Sequence, residues 1–481
     1  MCDLNFGEVM RQLKADYLVV GSGAMGMAFV DEIISDTDSS VIIVDRHHQP
    51  GGHWNNAYPY VRLHQPSAFY GVNSKPLGSN TIDATGWNKG LFELATNSEV
   101  CAYFDQVMQQ RFLPSGRVQY FPMCEFDWNT DSPSFASLLS GDAYQVEAGK
   151  VVDATYMNVT VPSMRPPPYQ VDEGVHCLPP NQLPELAGQF DRYMVIGAGK
   201  TGMDACLFLL KNGVTPDHIS WVMPRDSWIF DRAYIQPGVQ FADAIAQNFA
   251  AQTEVSATAT SLDDLLLKVA ETGFIMRFDD NVWPTMWRCA TVTQAELAQL
   301  RKIKNVIRQG RVTAISAHEV ILQEGTVPTS NRTVHIDCSA DGLERRPVLP
   351  VFSGARITLQ SVRTCQQVFS AAFIGHVEAL YDDEIPADEA LKNELCTPVP
   401  HPDDNRDFVR CNLANNNNAA RWAAEPGLSE WLLHARLDGF SSVDTLPDLS
   451  DPEVQARQAQ FREVAQQAAA NMQRILDETP A

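Results

Sequence analysis

Two glycine-rich motifs are the parts of this sequence with the clearest chemistry. The first fits the pattern G-x-G-x-x-G and consists of Gly21, Ser22, Gly23, Ala24, Met25 and Gly26. In this pattern the first glycine permits a tight turn, the second lets the backbone approach a pyrophosphate, and the third lets a helix pack close to a strand. The helix N-terminus then offers free N–H groups to the phosphates. The motif therefore predicts a dinucleotide site, with Ala24 and Met25 in the first turn of the helix.

The elements around this motif occur in the order that such a site needs. An apolar run at residues 16–20 predicts a buried strand, residues 24–35 predict a helix, and residues 41–44 predict a second strand. Asp45 stands 19 residues after Gly26, where a carboxylate can bind ribose hydroxyls, and Arg46 follows it. A glycine turn that only joins a strand to a helix is the alternative, and the ordered succession of elements favours the dinucleotide site.

The second motif repeats this arrangement later in the chain. It consists of Gly197, Ala198, Gly199, Lys200, Thr201 and Gly202, between a predicted strand at 193–196 and a predicted helix at 203–212. Arg225 stands 23 residues beyond Gly202, where the first motif has an acid. A guanidinium can bind a 2′-phosphate through two hydrogen bonds, so we predict NADPH rather than NADH. In the alternative, Arg225 pairs with a carboxylate such as Asp226. Lys200 either faces the phosphates or is solvated.

The stretch between residues 51 and 70 gives the first site a family resemblance. It contains Gly51-Gly52-His53-Trp54 and then Tyr58, Pro59, Arg62, Ser67 and Tyr70. Here the sequence resembles the class B flavin-dependent monooxygenases, which include flavin-containing, Baeyer–Villiger and N-hydroxylating enzymes. The resemblance implies FAD at the first motif. It makes the following residues candidates for contact with the cofactor: Asp45, Arg46, Gly51, Gly52, His53, Trp54, Arg62 and His64.

The resemblance also implies the residues that face the flavin. His64 stands where the Baeyer–Villiger branch carries an aspartate, which favours N- or S-oxygenation over oxygenation of a ketone. A histidine can form a hydrogen bond to the flavin or move a proton near neutral pH, or it can be structural. Tyr70 and Asn73 are further catalytic candidates. Asn73 is chosen because N- and S-oxygenating relatives use an asparagine in this stretch, and a turn residue is the alternative.

The resemblance implies an α/β fold with two Rossmann-like domains, in which the NADPH domain is inserted into the FAD domain. We predict that the FAD domain comprises residues 1–160 and 336–385, with a linker at 161–190 and the NADPH domain at 191–335. Residues 333–342 look like the strand that returns to the FAD domain. Residues 386–481 should be mainly helical, with a polar loop at 415–418 and an apolar helix stripe within 453–476, which buries a face or forms a homodimer surface.

Composition limits the partners of the protein. A formal net charge of −23 argues against binding to nucleic acid or to an anionic membrane. The ten cysteines form no C-x-x-C pair, so we expect no metal centre and predict thiols that are mostly buried and reduced in a cytoplasmic protein. Neither a signal peptide nor an apolar stretch long enough to span a membrane is evident in the sequence.

These expectations combine into one activity. The resemblance implies that NADPH reduces FAD, and that a C4a-hydroperoxyflavin then transfers one oxygen atom of O2 to a small organic substrate. One alternative is an NADPH-dependent flavin reductase or dehydrogenase without oxygen transfer. Another is a non-catalytic FAD-binding redox sensor. Since no C-x-x-C pair is present, a disulfide reductase is disfavoured.

Overall fold

A computed structural model describes residues 10–130, 132–381, 386–439 and 450–480 of the chain. Its largest sheet has eight strands, and the first glycine motif follows its central strand. The central strand, Arg11–Val20, runs parallel to Val41–Val44 on one side and to Ala143–Asp153 on the other. The end of this strand, from Tyr17 onward, is entirely apolar, which suits a strand with helices on its faces. The remaining strands of this sheet are Val118–Phe121, Cys124–Asp127, Ser134–Ser137, Phe352–Ser353 and Arg356–Thr358.

Two helices pack against each other on this sheet. Ala24–Asp36 follows the first glycine motif, and Gln367–Leu380 crosses it closely. A Cβ atom at Gly375 would lie 3.0 Å from the backbone oxygen of Phe29, so glycine permits the close crossing. Helix Asn97–Val107 adds to the same core. The segment that follows the second domain thus completes the first domain. This is the arrangement expected when the second domain is inserted into the first.

The second glycine motif follows the central strand of a sheet of five parallel strands. Arg192–Ile196 is central, with Ile219–Val222 and Asn305–Ile307 on one side and Thr333–Asp337 and Cys177–Leu178 on the other. Two of the predicted domain boundaries were wrong. Thr333–Asp337 belongs to this sheet, because it pairs along its whole length with Arg192–Ile196, and the strand that returns to the first sheet is Arg356–Thr358. The proline-rich stretch is not a free linker, since Cys177–Leu178 pairs within the sheet.

The inserted domain carries two smaller sheets and several helices. The three-stranded sheet consists of Ser227–Asp231, Ile275–Met276 and Met286–Val292. The four-stranded sheet consists of Gln170–Val171, Val312–Ile315, Glu319–Leu322 and Gly325–Pro328. The helices are Leu183–Leu186, Lys200–Lys211, Val239–Thr258, Leu262–Glu271 and Gln294–Leu300. A two-stranded ribbon in the first domain joins Gly71–Val72 to Lys75–Pro76.

The C-terminal region is helical, as predicted. Its helices are Pro386–Leu395, Asn405–Ala424, Pro426–His434 and Pro452–Glu478. The expected loop at 415–418 was wrong, because these asparagines lie inside the helix Asn405–Ala424. Asn418 is buried there, and its amide donates to the backbone oxygens of Val362 and Thr397 at 2.8 Å each. These tertiary hydrogen bonds offset the weak helix propensity of asparagine.

One pair of cysteines is an exception to the predicted pattern of mostly reduced thiols. Cys289 and Cys365 form a disulfide, although 76 residues separate them in sequence. A bridge between positions so far apart leaves no local motif, and the search for C-x-x-C could not find it. Among the described residues, no helix is long and apolar enough to cross a membrane.

Candidate functional site

The first glycine motif has the backbone geometry that its sequence predicted. Gly21 has a φ of +105°, which favours glycine, and it turns the chain out of its strand. A Cβ atom at Gly26 would lie 2.0 Å from the backbone oxygen of Gly21, so helix and strand are in close contact. Helix Ala24–Asp36 begins after Gly23, and no described side chain caps it. Its first N–H groups are thus free for an anion.

Gly52 completes this turn from a distant part of the sequence. It has a φ of +55°, and a Cβ atom there would lie 2.9 Å from Cα of Gly23. In addition, the N–H of Gly51 donates to the backbone oxygen of Ser22 at 3.0 Å. Gly51 and Gly52 therefore pack directly against the first motif. The backbones of Gly23 and Gly52 line the same cavity.

Asp45 holds the motif rather than projecting freely from its strand. Its Oδ2 accepts from the N–H of Ser22 at 2.5 Å and from Ser22 Oγ at 2.8 Å. Its Oδ1 lies 2.9 Å from Nδ1 of His47. Burial opposes ionisation, but the hydrogen bonds from His47 and Ser22 outweigh it and lower the pKa of Asp45. Arg46 is exposed and lies 3.9 Å from Glu125, at the limit of an ion pair.

The second motif repeats the tight turn and leaves its middle open. Gly197 has a φ of +123°, and a Cβ atom at Gly202 would lie 2.1 Å from the Gly197 oxygen. Around Gly199, by contrast, a Cβ atom would meet no described atom within 4 Å. Helix Lys200–Lys211 starts there, again without a cap from a described side chain. The open space at Gly199 is where a pyrophosphate would approach the backbone.

Arg225 lies shortly after the second strand of this unit, Ile219–Val222, and its guanidinium already has hydrogen-bond partners. Nη1 donates to Oδ2 of Asp403 at 2.9 Å, and Nη2 donates to the backbone oxygen of Thr285 at 2.6 Å. Burial raises the pKa of the Asp403 carboxyl group, but hydrogen bonds from Arg225 and Arg288 outweigh burial and hold this pKa at about 2. The carboxylate partner of Arg225 is therefore Asp403 and not Asp226, which pairs with Arg308 at 2.8 Å.

Lys200 takes part in a link between the two domains. Its ammonium pairs with Asp204 one helical turn further on, and the Tyr58 hydroxyl donates to Oδ2 of Asp204 at 2.7 Å. Since Tyr58 belongs to the first domain, this contact fixes the second motif relative to the first. The structure thus gives Lys200 a partner, and a phosphate would have to share it.

Both motifs open into one cavity with a volume of about 2490 Å³. Most of the predicted site residues line it. They are Gly21, Gly23, Ala24, Met25, Asp45, Arg46, Gly52, His53, Trp54, Arg62, His64, Tyr70, Gly197, Gly199, Lys200, Thr201 and Arg225. Gly26 and Gly202 stand behind the cavity wall, where each lets its helix pack against a backbone oxygen.

The three predicted catalytic residues have different surroundings. His64 lines the cavity, and burial, with the charges of Lys200 and Arg232, lowers its pKa well below the usual 6.5. The Tyr70 hydroxyl accepts a hydrogen bond from Nε1 of Trp54 at 2.7 Å. The prediction that Asn73 is a catalytic residue was wrong, because Asn73 lies outside the cavity lining. Its amide donates to Glu32 at 2.6 Å, and its oxygen accepts from the N–H of Leu437 at 3.0 Å.

Comparisons with known sequences identify the family of this chain. No family model matches the chain. The protein called "Uncharacterized protein Rv2000" of Mycobacterium tuberculosis is 51% identical over 449 residues, which cover 93% of this chain and 81% of that protein. The chain belongs to the Rv2000 family. A Mycobacterium bovis protein, "Uncharacterized protein Mb2023", matches to the same extent.

Solved structures show the fold of this family. Polycyclic ketone monooxygenase from the fungus Thermothelomyces thermophila superposes with a TM-score of 0.52 at 12% identity, covering 96% of this chain and 89% of that one. Cyclohexanone monooxygenase with bound ε-caprolactone gives a TM-score of 0.50 at 14% identity, covering 86% and 99%. The predicted resemblance is confirmed at the level of the fold, which this chain shares with these two monooxygenases.

Sequence reasoning missed the cavity residues that come from outside the motifs. They include Arg288, Arg311, Cys289, Cys365, His401 and Asn415. Arg311 is exposed, and its guanidinium forms no ion pair within the described ranges. No spacing in the sequence marks these positions, because the inserted domain and the C-terminal helices bring them together.

Proposed function

We propose that this protein is an FAD-dependent, NADPH-consuming monooxygenase that inserts one oxygen atom of O2 into a small organic substrate. The observation that carries the proposal is that two dinucleotide motifs open into one cavity. A volume of about 2490 Å³ is more than twice the roughly 300–1,000 Å³ typical of a site for one small ligand. This cavity has room for two dinucleotides and a substrate, whereas a flavoprotein without a second reactant needs only one such site.

The residues of the first motif fit FAD. Gly23 and Gly52 leave bare backbone where side chains would otherwise lie, and a Cβ atom at Gly52 would fill the gap to Gly23. The uncapped start of helix Ala24–Asp36 offers N–H donors for the pyrophosphate. Arg62 is exposed in the cavity lining and can add a positive charge. A flavin bound here supplies hydride acceptance from NADPH and activation of O2.

NADPH fits the second motif. Gly199 leaves open space in front of an uncapped helix, and Lys200 and Thr201 line the cavity beside it. Arg225 can exchange the Asp403 carboxylate for the 2′-phosphate. Asp403 would still have two cationic partners, Arg288 at 2.6 Å and Arg345 at 3.3 Å. Arg311 also lines the cavity and is a further cation there. These cations support NADPH over NADH.

The substrate would meet Trp54, Tyr70 and His64, which all line the cavity. Because the indole N–H can only donate, Tyr70 is the acceptor in this pair, and its own hydroxyl hydrogen has no acceptor within the described chain. It can therefore donate to a ligand in the cavity. The low pKa of His64 keeps the ring neutral at physiological pH, so it acts as a hydrogen-bonding group and not as a proton carrier near neutrality.

N- or S-oxygenation is the finer part of the proposal. Where the Baeyer–Villiger branch has an aspartate, this chain presents the neutral ring of His64 to the cavity. Without that carboxylate, ketone oxygenation, the activity of the Baeyer–Villiger branch, is disfavoured relative to oxygenation of a nitrogen or sulfur atom. Amines and thioethers are accordingly the first substrates to screen.

The test is NADPH oxidation by the purified protein, followed together with O2 uptake and with the release of hydrogen peroxide. A monooxygenase consumes NADPH and O2 in equal amounts, and a good amine or thioether substrate suppresses peroxide and yields an oxygenated product. Peroxide that matches NADPH under every condition would instead support a flavin reductase or dehydrogenase. A bound flavin that NADPH fails to reduce would support a redox sensor. The variant Gly23→Val is the matched control, since a side chain there should exclude FAD.

A further inference from the structure

The Cys289–Cys365 disulfide joins the two domains at the cavity. Cys289 lies in strand Met286–Val292 of the inserted domain, and Cys365 precedes helix Gln367–Leu380 of the first domain. Their Cα atoms are 6.7 Å apart, and both residues line the cavity. Both are half-buried, whereas five of the seven free cysteines that the structure describes are buried. Solutes in the cavity can therefore reach this bond.

The backbone at both cysteines is unusual. Cys289 has a φ of +56° and Cys365 has a φ of +61°, in the left-handed region that residues with a Cβ atom rarely adopt. They are two of only five non-glycine residues with positive φ in the described chain. Such conformations persist where the surrounding structure imposes them, and they concentrate at functional sites. A covalent bridge between two domains is a constraint of this kind.

We propose that Cys289 and Cys365 form a reversible dithiol–disulfide site that reacts with low-molecular-weight thiols entering the cavity. In reduction by a dithiol, one thiolate of the reagent attacks one cysteine sulfur, the S–S bond breaks, and the other cysteine leaves as a thiolate and takes up a proton. The second thiol of the reagent then attacks the mixed disulfide and releases the first cysteine. Two electrons pass from the reagent, which becomes a disulfide, to the protein, which gains two thiols.

The surroundings suit this exchange. Helix Gln367–Leu380 begins two residues after Cys365, so a thiolate that leaves from Cys365 lies near the partly positive end of the helix. Reduction removes the covalent link between strand Met286–Val292 and this helix start, and it leaves the contact from Tyr58 to Asp204 in place. The two domains then remain in contact but are free to adjust around the cavity. This exchange requires neither flavin nor NADPH.

The experiment uses the full chain without denaturant. The protein is treated with dithiothreitol or with buffer, alkylated with N-ethylmaleimide, and digested for mass spectrometry. We expect Cys289 and Cys365 to be labelled together only after the reductant, and to become protected again after treatment with oxidised glutathione. Cys101 and Cys177, which are half-buried and free, are the internal controls and should label equally in both samples.

Either of two labelling results would overturn the proposal. Labelling of Cys289 and Cys365 without reductant would mean that no disulfide is present. Labelling only after denaturant is added would mean a permanent cross-link and no reversible site. As a second measurement, hydrogen exchange at 286–292 and 363–369 should be faster in reduced protein and in Cys365→Ser, and unchanged in Cys101→Ser. Equal exchange in the reduced and oxidised proteins would also contradict the account.

Discussion

Glycine at two positions of the second motif serves two different purposes, and substitution can separate them. At Gly199 a Cβ atom would meet no described atom within 4 Å, and the backbone is extended with a φ of −74°. Valine fits such a backbone, so Gly199→Val should change the free energy of unfolding by no more than about 0.5 kcal/mol. The valine would, however, fill the space where the pyrophosphate must approach. Loss of one charged hydrogen bond, about 1.5–3 kcal/mol, weakens binding by roughly 10- to 150-fold.

Gly202→Ala is the matched contrast. Its Cβ atom would lie 2.1 Å from the Gly197 oxygen, so the helix must move away from the strand. Overpacking of this kind costs on the order of 1–3 kcal/mol, and the melting temperature should fall. The assay is calorimetric titration of each variant with NADP+, alongside thermal unfolding and the flavin content. An affinity for NADP+ in Gly199→Val within about twofold of wild type would refute the assignment of the second motif, and an unchanged melting temperature in Gly202→Ala would refute the packing argument.

Three further predictions concern charged and titratable side chains. Arg225→Ala should weaken NADPH by about tenfold or more and leave NADH almost unchanged in titrations; an equal loss for both would contradict the 2′-phosphate role. Because the pKa of His64 lies well below 6.5, kcat/KM should show no inflection from this group between about pH 6 and 8; an inflection that His64→Gln abolishes would contradict this. Burial, with repulsion from Asp31, raises the pKa of Glu32 from 4.5 to about 8. Since native protein then keeps a proton that unfolded chain releases, the free energy of unfolding should fall as pH rises through this window, by up to about 1.4 kcal/mol per pH unit. Urea unfolding of wild type and Glu32→Gln should show a shallower fall in the variant, and parallel curves would contradict the assignment.

The parts of the fold that follow from local chemistry could be predicted. Strand, glycine turn and helix are consecutive in sequence, so the spacing of the motifs is enough to assign Gly21 and Gly197 to tight turns. The segment at 51–70 was placed in the site through its resemblance, and Gly52 indeed contacts Gly23. The helix Pro452–Glu478 followed from its apolar period.

The parts that depend on distant pairing could not be predicted. Nothing near Arg225 in sequence points to Asp403, which a C-terminal segment supplies. Asn73 was predicted to be a site residue, but its amide donates to Glu32 in the helix Ala24–Asp36. Likewise, the strand Thr333–Asp337 resembles a return to the first sheet, and only its pairing register shows that it belongs to the second. The cytoplasmic location and the homodimer remain predictions.

The central claim is that NADPH reduces a flavin in this cavity and that the reduced flavin then activates O2. The most direct test mixes the purified protein anaerobically with NADPH and then with oxygenated buffer, while absorbance is followed by stopped flow. The account predicts bleaching of the flavin by NADPH, followed after oxygen by a transient spectrum that differs from both oxidised and reduced flavin and that an amine or thioether substrate shortens. Protein purified without flavin, or a flavin that NADPH does not bleach, would contradict it.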